Sequence, residues 1–173
     1  MATTYSLIEA NTLSSSAASV AFSSIPATYT DLVLRISARC ADTGVYGGLK
    51  FTFNSDTASN YSFTVMYGNG SSLAGDADTA IANARAKFTI TASNATADTF
   101  GNLEIYIPSY LASVRKPLSA LGAGETNAAT AYMGQNANLW KNTAAITSIQ
   151  ISEIFSTNLL TGSSFYLYGI SNA

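Results

Sequence analysis

Apolar side chains recur at every second position in seven separate stretches of this chain: Leu32 to Ala38, Leu49 to Phe53, Tyr61 to Tyr67, Phe88 to Ile90, Leu103 to Ile107, Ile149 to Ile151 and Phe165 to Leu167. A period of two marks a strand buried on one face, because successive side chains leave a pleated strand on opposite sides. The longest example puts Leu32, Leu34, Ile36 and Ala38 on one face and Asp31, Arg35, Ser37 and Arg39 on the other, with Val33 the exception. Weaker candidates near Ser6 to Ala10, Ala18 to Phe22, Leu118 to Leu121 and Ala129 to Tyr132 bring the expected total to about eight to ten strands.

Turn-forming clusters separate these stretches, among them Asp42-Thr43-Gly44, Asn54-Ser55-Asp56, Gly68 to Ser72 and Gly122 to Asn127. No segment reads as a long helix. The helical candidates are short: the Ala-rich Asp78 to Ala86, and a turn at Ser109 to Ser113 after Pro108. Between Ile146 and Phe155 the alternation changes phase at Ile154, which predicts a bulge or the end of a strand. Many short strands without interleaved helices predict an all-β chain. The expected architecture is a single antiparallel β-sandwich, jelly-roll-like, spanning residues 1–173, with a closed barrel as second choice. Residues 1–18 are expected to form an edge strand or an assembly arm.

The closing segment carries aromatics on both faces, Phe165 with Leu167 on one and Tyr166 with Tyr168 on the other. Two covered faces follow, one against the core and one against a second sheet or a neighbouring chain. Charge points the same way. Only 10% of residues are charged, against roughly 25% in an average soluble domain, so little repulsion keeps copies apart. With 8 basic and 10 acidic side chains and no basic run, the chain lacks the footprint that a phosphate backbone requires, and no nucleic-acid partner is expected.

Cys40 stands alone, so no internal disulfide is expected; a buried strand-end thiol is, suited to a reducing compartment or a virion assembled in one. The start, Met1 to Tyr5, has neither the basic nor the apolar part of a signal peptide, and no run of 18 apolar residues occurs. Neither secretion nor a membrane span is expected. The acceptor triplets beginning at Asn60, Asn69 and Asn94 are then incidental in a chain rich in Ser, Thr and Asn.

Histidine is absent, which removes the commonest general base and the commonest zinc ligand. Asp31, Asp56, Asp76, Asp78, Asp98, Glu104 and Glu153 remain as carboxylates for glycoside cleavage, but only a pair lying across one cleft would serve. Asp76 and Asp78 lack the further oxygens of a calcium loop, and Gly68-Asn69-Gly70 lacks the third glycine of a nucleotide fingerprint. No catalytic residue, metal ligand or cofactor is assigned, and no enzymatic activity is expected. Ten tyrosines and the lone Trp140 fit core packing or a sugar-stacking platform. Trp140 falls in Asn136 to Asn142, read as a polar loop, where a Trp is either tucked under the sheet or offered to a partner. The candidate partner contacts are Trp140, Tyr166 and Tyr168.

Three stretches in order resemble virion structural proteins of tailed bacteriophages, found among head decoration and tail or fibre proteins. They are Ile25-Pro26 through Tyr29 to Leu34; Phe51 to Asn54 through Asp56 and Asn60 to Ser62, then Gly68 to Ser71; and Trp140 with Asn142-Thr143, Ile146 to Ile149 and the closing Gly162-Ser163 with Phe165 and Leu167 to Ile170. The resemblance implies a β-sandwich that clamps onto a shell or fibre as a homo-oligomer, and it brings no catalytic motif. The expected role is a capsid decoration (cement) protein that braces the head, located in the virion after assembly in the bacterial host cytoplasm. Its expected partners are the major capsid protein and copies of itself, a trimer being favoured. The alternative is a tail or fibre receptor-binding module that recognises host carbohydrate.

Overall fold

A computed structural model describes residues 4–171 as two antiparallel sheets without helix. Ala2 and Thr3 of the expected arm lie outside the described residues. The larger sheet has eight strands in the order β1 (Tyr5–Thr12), β12 (Ser164–Ile170), β3 (Asp31–Ala38), β8 (Gly101–Ile107), β9 (Lys116–Glu125), β10 (Ala131–Trp140), β5 (Tyr61–Gly68) and β6 (Leu73–Ile81). The smaller sheet orders β2 (Ser19–Phe22), β11 (Ile149–Glu153), β4 (Tyr46–Phe53) and β7 (Ala84–Thr91). The all-β antiparallel sandwich is therefore observed, with its strands divided eight and four.

Each alternating stretch supplies one face of the filling between the sheets. Leu34 of β3, Ile105 of β8, Leu167 of β12, Phe51 and Phe53 of β4 and Ile151 of β11 are all buried in one apolar cluster. A buried side chain of this size contributes roughly 1.5–3 kcal/mol through water exclusion, so the inward rows dominate the stability of the fold. Within the stretch 1–18, β1 lies at the end of the larger sheet and, among the described residues, pairs with β12 alone. At Ile154 the phase change in the sequence coincides with the end of β11 and a turn whose backbone is held by the buried Glu153 carboxylate.

Twelve strands form rather than eight to ten, and the helix expected over Asp78 to Ala86 does not. Its first half completes β6, its second begins β7, and a bend joins them. Pairing of β6 with β5 overrides the helical propensity of a short Ala-rich run. The two longest strands, β9 and β10, arise where the sequence shows only weak alternation. Where β7 crosses them, it comes so close that Gly122 and Gly134 have no room for a side chain. A Cβ on Gly122 would sit 2.5 Å from the Thr89 side chain, and one on Gly134 would overlap the carbonyls of Lys87 and Phe88.

The same crossing explains two buried asparagines. The outer edge of β7 has no strand partner in its sheet. Asn138 accepts from Arg85 N at 2.7 Å and donates to Arg85 O at 2.9 Å, while Asn136 accepts from Lys87 N at 2.9 Å and donates to Lys87 O at 3.2 Å. Each side-chain amide replaces a missing strand, so the free edge of β7 is satisfied inside the sandwich.

Candidate docking face

The smaller sheet covers one face of the larger sheet and leaves the other open. Strand register lays the open face out in three rows, each crossing all eight strands from β1 to β6. The first row reads Leu7, Tyr168, Val33, Tyr106, Ser119, Ala137, Thr64, Ala77. The second reads Ala10, Tyr166, Arg35, Glu104, Leu121, Gln135, Met66, Gly75, and the third Thr12, Ser164, Ser37, Asn102, Ala123, Met133, Gly68, Leu73. Only Arg35 and Glu104 in these rows carry charge, and they neutralise each other at 3.0 Å.

Nine large apolar side chains stay exposed among the described residues, and seven of them lie on this face: Tyr5, Leu7, Met66, Leu73, Tyr106, Leu121 and Met133. Leu73 is 89% exposed and Met66 65%. The remaining two, Val114 and Phe155, sit in turns. The outer face of the smaller sheet contrasts with this, presenting Ser19, Ala21, Thr52, Lys50, Gln150 and Ser152. One side of the sandwich is polar and the other carries most of the exposed large apolar side chains, the kind of surface that marks interaction sites. The position of Tyr106 is fixed from below, since its hydroxyl donates to Asp31 at 2.7 Å while the other Asp31 oxygen accepts from Ser109 N. The bond to that carboxylate, with burial adding, pushes the Tyr106 phenol above its ordinary pKa.

Two of the three candidate contacts, Tyr166 and Tyr168, lie on the open face. Tyr166 and Tyr168 point away from Phe165 and Leu167 onto the open face, beside a shallow groove of about 390 Å³ shared with Arg35, Ser37, Asn102 and Glu104. Trp140 must be corrected. It is the last residue of β10 rather than part of a loop, it is 0% exposed, and its indole N–H donates to Asp56 at 2.8 Å. Phe53 and Tyr61 pack on its ring with centroids 5.5 and 6.3 Å away, so no ring surface remains for a partner. Burial raises the Asp56 pKa, but hydrogen bonds from Asn60, Trp140 and the Ala58 backbone outweigh it and hold the carboxyl below the usual range.

Most of the carboxylates named above are tied to structure. Asp76 pairs with Lys87, Asp78 accepts from the backbone of Thr79 and Ala80, and Glu153 is wholly buried. Asp76 and Asp78 lie in β6, not in a loop. Among the described residues no three His, Cys, Asp or Glu side chains gather closely enough to hold a metal ion. Burial pushes the Cys40 thiol up to about 11, so little of the nucleophilic thiolate is present near neutral pH. Among the described residues no helix is long and apolar enough to cross a membrane. Comparison with protein-family models, curated proteins and solved structures finds no match for the chain.

Met66, Leu73, Leu121 and Met133 were not picked out by sequence reasoning. Met66 offered the clearest signal, because it is an apolar side chain on the polar face of an otherwise clean alternation from Tyr61 to Tyr67. The others become neighbours only through strand order.

Proposed function

We propose that this chain is a non-enzymatic structural protein of a tailed-phage virion, a capsid decoration protein that works by burying the open face of its eight-stranded sheet. The observation that carries the proposal is that face, with three rows in which the only charges cancel and which hold most of the exposed apolar side chains. The seven gaps between eight strands, about 4.8 Å each, and three rows about 7 Å deep give roughly 700 Å². That is close to the roughly 800 Å² per partner of a specific interface. Repeated around a shell, contacts of this size add through multivalency without any single strong bond. The virion setting rests on the resemblance of the three stretches ending in Phe165 to Ile170.

The cations also favour a protein partner over nucleic acid. Arg35 and Lys87 are paired with carboxylates, Arg39 is spent on the carbonyls of Ser93, Ala95, Thr96 and Thr99, and Lys116 is buried against those of Ala112 and Val114. A second reading, host carbohydrate, draws on the groove beside Tyr166 and Tyr168, where aromatic faces meet the planar polar groups of Arg35, Glu104 and Asn102.

Leu121→Glu separates the two. It sets an unpaired charge in the middle of the face, and its side chain is 54% exposed, so the fold tolerates it. Pull-down on phage heads assembled without the chain is expected to show at least a tenfold loss of occupancy. Full occupancy of the variant overturns the docking face. Glycan binding that survives Leu121→Glu and disappears in Tyr166→Ala supports the carbohydrate reading instead.

A further inference from the structure

The relief of the open face is not random. In the first row Leu7, Tyr168 and Tyr106 are bulky on the β1, β12 and β8 strands, with Val33 of β3 buried between its neighbours, and the four on β9, β10, β5 and β6 are small (Ser119, Ala137, Thr64, Ala77). The third row reverses this. Thr12, Ser164 and Ser37 are small on the β1 side, and Met133 and Leu73 stand up on the β6 side. The small positions are hollows in fact as well as in sequence. A groove of about 300 Å³ lies at Ser119 and Ala137, and one of about 270 Å³ at Thr64 and Ala77.

We infer that the open face is self-complementary and that its partner is a second copy of this chain, related by a two-fold axis running parallel to the strands above the seam between β8 and β9. This rests on the open face being the docking surface and makes a second copy, not the shell itself, what covers it, so that the head is met by pairs and Leu121→Glu loses occupancy by splitting them. Such an axis carries the β1 half of one copy over the β6 half of the other and keeps each row over itself. Leu7 then stands over the partner's Ala77, Tyr168 over the partner's Thr64 and Val33 over the partner's Ala137. In the third row, Met133 enters the groove at the partner's Ser37, and Leu73 covers the partner's Thr12. Large meets small at most positions of these two rows, while Tyr166 meets the partner's Met66 in the row between them; interdigitation of this kind, with near-parallel strand directions, is the usual arrangement of stacked sheets.

Charge selects this axis over its alternative. A two-fold across the strands would also match large to small, but it would set Arg35 over the partner's Arg35 and Glu104 over the partner's Glu104. Along the strands, Arg35 meets the partner's Gln135 and Glu104 the partner's Leu121, while the ion pair within each copy stays closed at 3.0 Å. The area is sufficient: roughly 700 Å² from each copy totals about 1,400 Å², inside the range of about 1,200–2,000 Å² for stable associations. A two-fold pair takes the place of the trimer expected from the sequence.

The test is sedimentation and crosslinking of the intact chain. The wild type is expected to sediment at twice 18.0 kDa. Ala137→Lys, an exposed position in its own chain, brings an unpaired ammonium onto the partner's Val33 and is expected to weaken the pair by roughly a hundredfold, with circular dichroism unchanged. In the double variant Thr64→Cys, Tyr168→Cys the two thiols lie five strands apart in one chain, about 24 Å, so a short bismaleimide joins them only between copies; a covalent dimer is expected. A trimer, or a dimer indifferent to Ala137→Lys and uncrosslinked, overturns the inference. A chain that stays at 18.0 kDa but loses head binding through Leu121→Glu keeps the docking face and removes the second copy as its occupant. A monomer whose head binding ignores Leu121→Glu removes both.

Discussion

Trp140→Ala is expected to cost roughly 3–5 kcal/mol of folding stability, the range for truncating a large aromatic in a close-packed core. Trp140 is 0% exposed and wedged against Phe53 and Tyr61. Its removal also leaves Asp56, which accepts the indole proton at 2.8 Å, without its most buried donor. Against a total of about 5–15 kcal/mol for an ordinary domain, the loss takes a fifth or more. Urea unfolding followed by far-ultraviolet circular dichroism measures it, since the variant has no tryptophan to report fluorescence. Trp140→Phe separates the two contributions, because it keeps most of the ring packing and loses only the bond to Asp56; it is expected to fall between wild type and Trp140→Ala. A loss below about 1 kcal/mol for Trp140→Ala would mean that the ring is not in the core.

Gly134→Ala is the other severe substitution, although it adds a single methyl group. In most strands the change is mildly favourable, by roughly 0.5–1 kcal/mol, since alanine restricts the unfolded chain more than glycine does. Here the new Cβ overlaps the carbonyl of Lys87 and comes within 2.8 Å of that of Phe88. Main-chain atoms cannot rotate aside, so β7 must lift from β10. That movement stretches the bonds by which Asn136 and Asn138 hold the backbone of Lys87 and Arg85. The expected loss exceeds the roughly 1–3 kcal/mol of ordinary overpacking. Faster amide exchange at Arg85 and Lys87 should accompany the lower urea midpoint. An unchanged midpoint contradicts the close crossing of β7 over β10.

That crossing also explains what could and could not be read from the chain itself. Strands such as β3, β8 and β12 fill a gap between sheets, so their inward residues are apolar and the period of two is plain. Strand β10 faces the backbone of β7 with Gly134, Asn136 and Asn138, which read as turn residues and disguise a ten-residue strand as a polar loop. Trp140 was misplaced for that reason alone. Strand β6 is hidden differently, because an edge strand that is exposed along nearly its whole length has no buried face to impose a pattern. Tyr166 and Tyr168 were legible as an outward pair because Phe165 and Leu167 fix the inward face. The docking face as a whole was not, since Leu121, Met66 and Leu73 come from strands far apart in the chain and share a surface only through register.

The most direct test of the docking face is hydroxyl-radical footprinting of the assembled protein against its dilute monomer. In the monomer, Met66 at 65% exposure, Met133 at 43% and Phe155 at 71% should all be oxidised readily. On assembly, Met66 and Met133 are expected to lose most of their reactivity, while Phe155, in a turn away from the open face, keeps its own. Equal labelling of Met66 and Met133 in the two states, or protection confined to Phe155, would contradict the assignment of the open sheet face as the working surface of this protein.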